Sequence, residues 1–577
     1  MKSIKIVLIL IVLSIINVFG TIRYVSKTGS STPPYTSWET ASDLVQKCMD
    51  ICNFGDTIYM GKGNYNQLVI MKPGTSLIGI DRDSCIFDTR LRTNIHTTIH
   101  INDSCLVENL TILQPNIYEK PSYGIYSWQR TNAIIKNCNM YNCVHGIGLA
   151  RSYNTVIEGN HLSNSIRTCI ELDGNSYSYN CLIKNNLILN DLGSGRCVSA
   201  AYPYSGIFDE NILIITSNGF NSALYTFEAS NSIFRNNLII LKSAKSVYGI
   251  VAAYNNQTLN NLVMGRCFDG SIRLITGTIN NNSIIESLLG ITITLGAVQY
   301  NNLYEVINPD SQFTLDSTNT FHNPMIVNDD KNNFDGHLQK YSPLIDAGDP
   351  TILDVDGSRS DIGLYGGPYG ESYTYIDYAP HIPHNLSSTI VKKNITINWN
   401  MNTEADFSHY EVYLDTVENF TPDSTRLIAI VDTNNYNGVR SFEKSTYYRI
   451  LAVDNQGNKS VLSEPVSVIV TGVDEPIVKE MDYMLYNAYP NPFNPSTTIA
   501  YRLKEDGYVK LSVYDIKGEL VEILVNEVLP KGYYQASFSP KNTGKDLASG
   551  IYIYRIDIRN SNNIPVYSDM KKMILMK

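Results

Sequence analysis

The chain has 577 residues, of which 45 are Lys or Arg and 55 are Asp or Glu, so its net charge is −10. A chain of this length corresponds to three or four domains of roughly 100–200 residues each. The acidic balance offers no basic field to a nucleic-acid backbone, which argues against nucleic-acid binding. Hydrophobic residues make up 43% of the chain and charged residues 17%, a composition that excludes wholesale disorder.

Residues 1–20 have the pattern of a secretory signal peptide. Lys2 and Lys5 precede an apolar run over 6–18, and the small residue Gly20 follows it. The run is too short to span a bilayer comfortably, although an uncleaved membrane anchor is the alternative interpretation. No second apolar stretch of spanning length follows in the sequence. We therefore predict an exported chain with no transmembrane helix after signal cleavage.

The cysteines are confined to one part of the chain. All ten lie between Cys48 and Cys267. An even number of cysteines in an exported protein permits disulfides, but the sequence does not determine their pairing. Metal binding through these cysteines is disfavoured, because no pair of CxxC motifs accompanies them.

The central region repeats a short phrase: an apolar residue, a polar residue, one or two Asn, and then Leu or Ile. The last alignable positions of the copies are Leu110, Cys138, Asn160, Asn186, Asn211, Asn237, Asn261, Asn282 and Asn302. They are 20 to 28 residues apart, which is the period of a solenoid. The β-branched alternations broken by Asn and Gly favour strands and tight turns. We predict a parallel β-helix in which Asn tolerates left-handed turns and bonds its stacked neighbours.

Both ends of the repeat region have features of their own. Apolar residues at helical spacing predict a helix that caps the first turn, namely Ala41, Leu44, Val45, Cys48, Ile51 and Cys52. The segment 24–65, which includes Trp38 and the Gly55-Asp56-Thr57-Ile58 motif, resembles the opening of secreted right-handed β-helix proteins with a pectate-lyase-like fold. The segment 342–367 resembles their closing segment. The resemblance implies a right-handed parallel β-helix over 21–370 and is specific for the fold rather than for an activity.

A second pattern of alternating strands follows Pro380 and Pro383. Trp399, the segment 410–413 (Tyr-Glu-Val-Tyr) and the segment 452–458 (Ala-Val-Asp-Asn-Gln-Gly-Asn) resemble a fibronectin type III module. The resemblance implies a β-sandwich over 380–471 with Trp399 in its core. We expect this module to act as a spacer.

The last region, 485–577, follows a linker at 472–484. It opens with the Pro-rich segment 489–499 and ends at 572–577 (Lys-Met-Ile-Leu-Met-Lys). Over its whole length it closely resembles the type A sorting domain of the type IX secretion system. The resemblance implies that the type IX secretion machinery carries the chain across the outer membrane and that the protein is secreted or held at the outer cell surface. The predicted fold class is thus all-β: a right-handed parallel β-helix followed by two β-sandwich domains.

One face of the predicted solenoid carries residues of chemical interest. Strand side chains alternate inward and outward, so with the Ile, Val and Leu column inward the outward residues on five successive turns are aromatic, small, acidic, small and aromatic. These pairs are Tyr126 and Trp128, Gly148 and Ala150, Glu171 and Asp173, Ser199 and Ala201, and Tyr225 and Phe227. Since neighbouring strands lie about 4.8 Å apart, the pattern predicts a shallow trough with two carboxylates on its floor and aromatic walls on either side.

Such a trough suits a sugar chain, because aromatic rings stack on pyranose rings and carboxylates bond hydroxyl groups, bind calcium or move protons. His145, Arg151, Lys184 and Arg196 are near in sequence and are expected at the rim. The predicted carbohydrate-binding residues are Tyr126, Trp128, His145, Arg151, Ser199, Tyr225 and Phe227. The expected partner is an extracellular polysaccharide.

Glu171, Asp173 and Arg196 are the candidate catalytic residues. Two acids at i and i+2 have α-carbons about 6.6 Å apart, which fits a glycosidase pair of either geometry or a shared calcium ion held by Glu171 and Asp173. A calcium-dependent polysaccharide lyase needs acids for the metal and a Lys or Arg that takes the proton beside a uronate carboxylate, and these three residues have those chemical types. The sequence has only fragments of the polygalacturonase motifs, at 145–146 (His-Gly) and 135–136 (Ile-Lys).

Two hypotheses about function remain open. In one, the β-helix binds and cleaves extracellular polysaccharide by a lyase or glycoside hydrolase mechanism. In the other, it is a non-catalytic surface adhesin or structural protein, because exposed acids on a solenoid often serve solvation alone. A further acidic segment, 354–357 (Asp-Val-Asp-Gly), begins like a calcium loop but lacks the remaining ligands, so a turn is the favoured interpretation.

Overall fold

The computed structural model describes residues 20–576 apart from short gaps. The gaps are 93–96, 116–121, 164, 166, 173–177, 191–194, 202, 217–220, 228, 243–245, 312, 392, 440–444, 470–481, 495, 541–546 and 561, and at a few strand positions, Phe227 among them, only the backbone is described. The body of the predicted signal peptide and Asp173 therefore lie outside the described residues. The chain divides into two compact units. The first contains the chain up to Phe321 together with Leu344–Ser372. The second contains His322–Pro343 together with the chain from Tyr373 onward.

The first unit is a parallel β-solenoid in which each turn contributes a strand to each of three faces. The strands of the first face are Val69–Ile70, Thr97–His100, Tyr123–Trp128, His145–Ala150, Thr168–Leu172, Arg196–Ala201, Asn221–Phe227, Ser246–Ala252 and Asn308–Ser311, with the first parts of Ile272–Asn280 and Leu289–Gln299. Those of the second face are Ile22–Val25, Thr57–Met60, Ser76–Gly79, Leu106–Glu108, Ile134–Lys136, Val156–Glu158, Leu182–Lys184, Ile207–Asp209, Ile233–Arg235 and Asn256–Leu259, with the second parts of the same two long strands.

The third face completes each turn. Its strands are Gly63–Asn64, Cys85–Asp88, Thr111–Leu113, Asn139–Tyr141, His161–Ser163, Leu187–Asn190, Ile212–Ile215, Leu238–Leu241, Leu262–Met264, Ser283–Ile285 and Asn302–Tyr304. A small two-stranded parallel sheet, Ser178–Tyr179 with Pro203–Tyr204, lies between the first and second faces. The all-β prediction with a parallel β-helix is confirmed.

The repeated Asn residues form a buried ladder between the second and third faces. Each side chain accepts a hydrogen bond from the preceding turn, and each except the last, Asn319, donates one to the Asn of the next turn. The ladder comprises Asn160, Asn186, Asn211, Asn237, Asn261, Asn282, Asn301 and Asn319. The residue before several ladder positions is an Asn in the left-handed region, with φ between 50° and 57° at Asn185, Asn236, Asn260 and Asn281. Asn therefore stabilises both the turn and the stack, as the repeat predicts.

The second face carries a column of charges whose sign alternates from turn to turn. Its members, in register, are Glu108, Lys136, Glu158, Lys184, Asp209 and Arg235. Lys136 lies 3.3 Å from Glu108, and Arg235 lies 3.0 Å from the buried Asp209. Because opposite charges directly across a strand pair attract, the column favours one vertical register.

The capping helix is present but shorter than the apolar spacing predicts. It spans Val45–Met49, with Val45, Cys48 and Met49 buried in the solenoid core. Beyond Met49 the chain tightens into turns, since the amides of Ile51 and Cys52 bond carbonyls three residues earlier. All ten cysteines of the chain are buried. No helix in the described part of the chain is long and apolar enough to cross a membrane.

The closing segment of the first unit contains the acidic turn. Both carboxylate oxygens of Asp354 accept backbone N–H groups, one from Asp361 at 2.9 Å and one from Gly367. Asp356 bonds the amide and hydroxyl of Ser358. These bonds fit the predicted turn rather than a calcium loop.

The second unit consists of antiparallel sheets. It opens with the hairpin of Ile326–Asn328 and Asp335–Leu338. A sandwich follows, in which Ser387–Val391, Asn394–Asn398 and Asn435–Val439 form one sheet and Phe407–Asp415, Leu427–Val431, Thr446–Asp454 and Val466–Val468 form the other. This three-plus-four arrangement is fibronectin type III-like, with Trp399 2% exposed and 5.1 Å from the ring of Tyr410.

The C-terminal region forms a second sandwich. Its sheets contain Met484–Leu485, Thr497–Leu503 and Gly532–Phe538, and Gly507–Tyr514, Leu520–Leu529, Gly550–Asn560 and Pro565–Leu575. The core between them is apolar and includes Ile499, Leu511, Phe538 and Tyr554. The end of the chain pairs along Gly550–Asn560, so the last strand is part of the folded module.

Candidate functional site

The outward column predicted on the first face is present. Tyr126 pairs with Gly148, Gly148 with Glu171, Glu171 with Ser199, and Ser199 with Tyr225. The column is straight, since each residue is the direct partner of the next across parallel strands. The predicted stack is therefore observed. We call this set, Tyr126, Gly148, Glu171, Ser199 and Tyr225, the site column.

A second outward column stands beside the site column. The residues Gly124, Gly146, Cys169, Cys197, Ala223 and Gly249 precede the inward Ile, Val and Leu positions, yet they are buried as well. On each of these strands two successive residues therefore face inward, which breaks the alternation of side chains, and the residue before them faces outward. This second column contains Tyr123, His145, Thr168, Arg196 and Ser222. Strict alternation would have turned Tyr123 inward, so the sequence pattern did not reveal it.

Glu171 is the centre of the side-chain contacts on this face. The hydroxyl of Tyr123 donates to its Oε2 at 3.0 Å. Nδ1 of His145 lies 3.0 Å from the same oxygen, although the two atoms are not aligned for a hydrogen bond. The Glu171 side chain is 18% exposed. Burial alone would raise the pKa of this carboxyl, but His145, Tyr123 and the charge of Arg167 outweigh burial and hold the pKa below its ordinary value.

Gly148 allows Tyr123 to reach Glu171. A β-carbon at residue 148 would lie 2.3 Å from two ring atoms of Tyr123 and 3.1 Å from the ring of Tyr126. The ring of Tyr123 thus crosses the space above Gly148 and stacks 4.8 Å from His145. The predicted trough has an open floor at Gly148, but in the structure the ring of Tyr123 fills that position.

Arg196 lies against the other end of the site column. Its guanidinium donates to Oγ of Ser199 at 3.0 Å and lies 3.6 Å from the centroid of the Tyr225 ring. Such a stacked cation is held by the ring quadrupole. Arg196, Ser199 and Tyr225 are therefore together, as the sequence predicts.

Trp128 and Arg151 form a second cation–aromatic pair on the first face. Trp128 is 42% exposed, and the guanidinium of Arg151 lies 5.1 Å from its ring centroid. Of the remaining predicted residues, Asp173 and the side chain of Phe227 lie outside the described residues. Lys184 is on the second face, where it contacts Asp209 and Glu210, so it is not at the rim of the site.

A stack of tyrosines borders the first face and was missed by the sequence reasoning. Tyr153, Tyr179 and Tyr204 lie at equivalent turns, with ring centroids 5.3 Å and 5.4 Å apart, and the Tyr153 and Tyr179 rings are nearly parallel. Tyr153 and Tyr204 are both 39% exposed. The recurring pair Ser-Tyr before Asn at 152–154 and 178–180 is the signal that could have revealed the stack.

The contacts of the Glu171 carboxylate bear on the predicted calcium site. Oε2 of Glu171 is engaged by Tyr123 and faces His145. Among the described residues, Glu171 does not belong to a group of three or more converging metal-ligand side chains. Calcium at Glu171 and Asp173 stays a prediction.

Two protein-family models match the chain. Residues 58–205 match a right-handed beta helix region, and residues 487–573 match a secretion system C-terminal sorting domain. No curated protein matches the chain.

Solved structures resemble the chain at low sequence identity. The GH136 lacto-N-biosidase from Eubacterium ramulus is 12% identical with a TM-score of 0.37, and the match covers 52% of this chain and 66% of that enzyme. The A-module of a mannuronan C-5 epimerase from Azotobacter vinelandii is 12% identical over 46% of this chain and 91% of the module, with a TM-score of 0.32. PfbA, a surface adhesin of Streptococcus pneumoniae, is 13% identical over 46% of this chain and 86% of the adhesin, with a TM-score of 0.33. At these scores, none of them assigns an activity to this chain.

The sheet topology and the family models agree on the organisation of the chain. The matched beta helix region, 58–205, lies within the parallel solenoid, and the matched sorting domain, 487–573, lies within the C-terminal sandwich. The protein is an exported β protein that combines a right-handed β-helix, a fibronectin type III-like module and a type IX C-terminal sorting domain that directs it to the cell surface.

Proposed function

We propose that the first face of the β-helix binds an acidic extracellular polysaccharide. The observation that carries this proposal is the site column, in which the largely buried carboxylate of Glu171 lies one turn from Arg196 and two turns from the rings of Tyr126 and Tyr225. Sugar rings stack on aromatic rings, and guanidinium groups pair with uronate carboxylates. Export brings this face into contact with such polymers.

Positively charged side chains on this face are the reason for proposing an acidic polymer. Arg151 and Arg196 lie on rings of the face, and the charge of Arg167 acts on Glu171. A guanidinium has five N–H donors, and the bond from Arg196 to Ser199 uses one of them. Stacking on a ring holds the guanidinium in place, so it pairs with an incoming carboxylate at a small cost in side-chain entropy.

Cleavage by β-elimination is a second candidate function. In that reaction a base takes the proton from the carbon beside the uronate carboxyl, the electron pair forms a carbon–carbon double bond, and the glycosidic oxygen leaves and is protonated. Glu171, whose pKa is lowered, is ionised and can accept a proton, but the lowered pKa makes it a weaker base. Glycosidases need a general acid with a raised pKa and an ionised second carboxylate, so Glu171 fits the second of these roles and not the first. Arginine stays protonated, and Arg196 therefore suits pairing with the uronate carboxylate.

The binding test uses the full chain with polygalacturonate and alginate as acidic probes and dextran as a neutral one. We expect the acidic polymers to bind and dextran not to bind. Arg196→Met should weaken binding of the acidic polymers, whereas Lys136→Met, which removes a positive charge from the second face, should leave it unchanged. Glu171→Gln removes a negative charge from the first face and should not weaken binding of an acidic polymer. The proposal is wrong if no acidic polymer binds, or if Lys136→Met weakens binding as much as Arg196→Met does.

The same mixtures of protein and polysaccharide show whether the protein acts as an enzyme or as an adhesin. Growth of ultraviolet absorbance from unsaturated uronate that is lost in Glu171→Gln supports elimination. Growth of reducing ends without that absorbance supports hydrolysis. Binding without either change supports an adhesin.

A further inference from the structure

Three acidic side chains converge in the fibronectin type III-like module. Asp377 lies in the segment before the first strand of the module, Asp406 directly precedes the strand Phe407–Asp415, and Asp454 is the last residue of Thr446–Asp454. One carboxylate oxygen from each lies within 4.8 Å of the other two. Like charges at this separation repel each other, so the cluster needs a compensating cation or proton.

Asp406 provides the second observation. The residue is 5% exposed, and its Oδ2 is buried without a hydrogen-bond partner among the residues that the structure describes. A buried carboxylate oxygen that nothing bonds is costly. The carboxylate of Asp406 thus belongs to the cluster and has one oxygen that receives no hydrogen bond from the described residues.

The turn after Asp454 holds that carboxylate in place. The amides of Gln456 and Asn458 donate to Oδ1 of Asp454 at 2.9 Å and 2.8 Å. The side-chain amide of Asn458 contacts Oδ2 of Asp454 at 2.9 Å and Oδ2 of Asp377 at 3.0 Å. The nitrogen and oxygen of such an amide are assigned from their surroundings, and half a turn about its last bond brings the Asn458 oxygen to the same place as a fourth oxygen ligand.

We propose that Asp377, Asp406 and Asp454 form a calcium site that ties the segment before the module to two of its strands. Calcium takes oxygen ligands in flexible geometry and completes its shell with amide oxygens and water, whereas zinc prefers nitrogen and sulfur. Calcium sites of extracellular modules bind in the range of about 10⁻⁴–10⁻³ M, which fits an exported chain. The site is in a different module from the polysaccharide face and does not depend on the proposed function.

The test is calcium titration of the full chain by isothermal calorimetry after treatment with EDTA and desalting. The variants are Asp406→Asn and Asp377→Asn. Asp377 is outside the strands, and an amide oxygen still accepts from Asn458, so this second variant keeps the fold even if the first does not. The control is Asp432→Asn, which removes an exposed acid of the same module.

Wild type and Asp432→Asn should bind the same number of calcium ions. Each cluster variant should lose one of them or bind it at least about tenfold more weakly, since even outer partners of a metal site are worth about 10–100-fold in affinity. Calcium should also raise the unfolding temperature of wild type more than that of Asp377→Asn. The proposal is overturned if wild type takes up no calcium at millimolar concentration, or if Asp377→Asn matches wild type in number and affinity of bound ions.

Discussion

Replacement of Asn211 by alanine tests whether the Asn ladder holds the solenoid together. The Asn211 side chain donates to the carbonyl of Ile183 at 2.8 Å and to Oδ1 of Asn237 at 2.9 Å. It accepts from the backbone and side-chain nitrogens of Asn186 at 3.1 Å and 3.0 Å. All four bonds are buried. At about 1 kcal/mol net for each bond, Asn211→Ala should cost about 4 kcal/mol of local stability.

Asn160, at the N-terminal end of the ladder, gives an internal comparison. Its side chain donates to Ile135 and Asn186 but accepts only from the amide of Cys138. Three bonds are lost in Asn160→Ala, so this variant should cost about 3 kcal/mol, or about 1 kcal/mol less than Asn211→Ala. Asn53, an exposed residue of the cap region, serves as the control, and Asn53→Ala should change stability by no more than about 0.5 kcal/mol.

Native-state hydrogen exchange followed by mass spectrometry is the suitable assay, because a chain of several domains does not unfold in two states. A loss of about 4 kcal/mol corresponds to a fall of about three orders of magnitude in the protection of amides near Asn211. The reasoning is refuted if protection falls less than about tenfold in Asn211→Ala, or if Asn160→Ala costs as much as Asn211→Ala.

The remaining predictions concern buried charges and thiols. Asp209→Asn should cost about 3 kcal/mol of local stability in native-state hydrogen exchange, because it leaves the partly buried Arg235 without its carboxylate. Burial raises the pKa of Cys138 to about 12, so iodoacetamide should label Cys138 only after unfolding. Burial raises the pKa of Glu404, but contacts with His381 outweigh it and lower the pKa to about 2 from 4.5. The stability difference between wild type and Glu404→Gln should therefore be full above about pH 4.5 and shrink as the pH falls towards 2, as native-state hydrogen exchange of amides near Glu404 at several pH values would measure.

The solenoid could be predicted from the sequence because one chemical requirement recurs on every turn. A ladder position accepts only a side chain that both donates and accepts along the stack, so Asn repeats at Asn186, Asn211, Asn237 and Asn261. That repetition fixes the period, and the period fixes which residues become vertical neighbours. The stacking of Gly148, Glu171 and Ser199 followed from the repeat together with the inward column of Ile, Val and Leu.

The contacts of Glu171 could not be predicted in the same way. They depend on a bend at Gly124 and its equivalents, where two successive residues face inward and Tyr123 turns outward. A small residue at that position is compatible with strict alternation as well as with a bend. The sequence also does not show that Asp377 and Asp406 meet Asp454, because those contacts join separate segments of the module.

The side-chain columns of the β-helix differ in what their vertical neighbours do for one another. In the Asn ladder each residue bonds the next, and in the charge column of the second face each residue faces the opposite charge on the next turn. The vertical neighbours in the site column do not form such pairs, since Glu171 is flanked by Gly148 on one side and Ser199 on the other. Its carboxylate is contacted instead from the neighbouring column, by the hydroxyl of Tyr123 and the ring of His145. The side chains of the site column therefore do not stabilise their own stack. The column nevertheless keeps an ionised acid near aromatic rings and a stacked arginine. This composition is typical of a ligand-binding surface, which is why we assign the polysaccharide to this face.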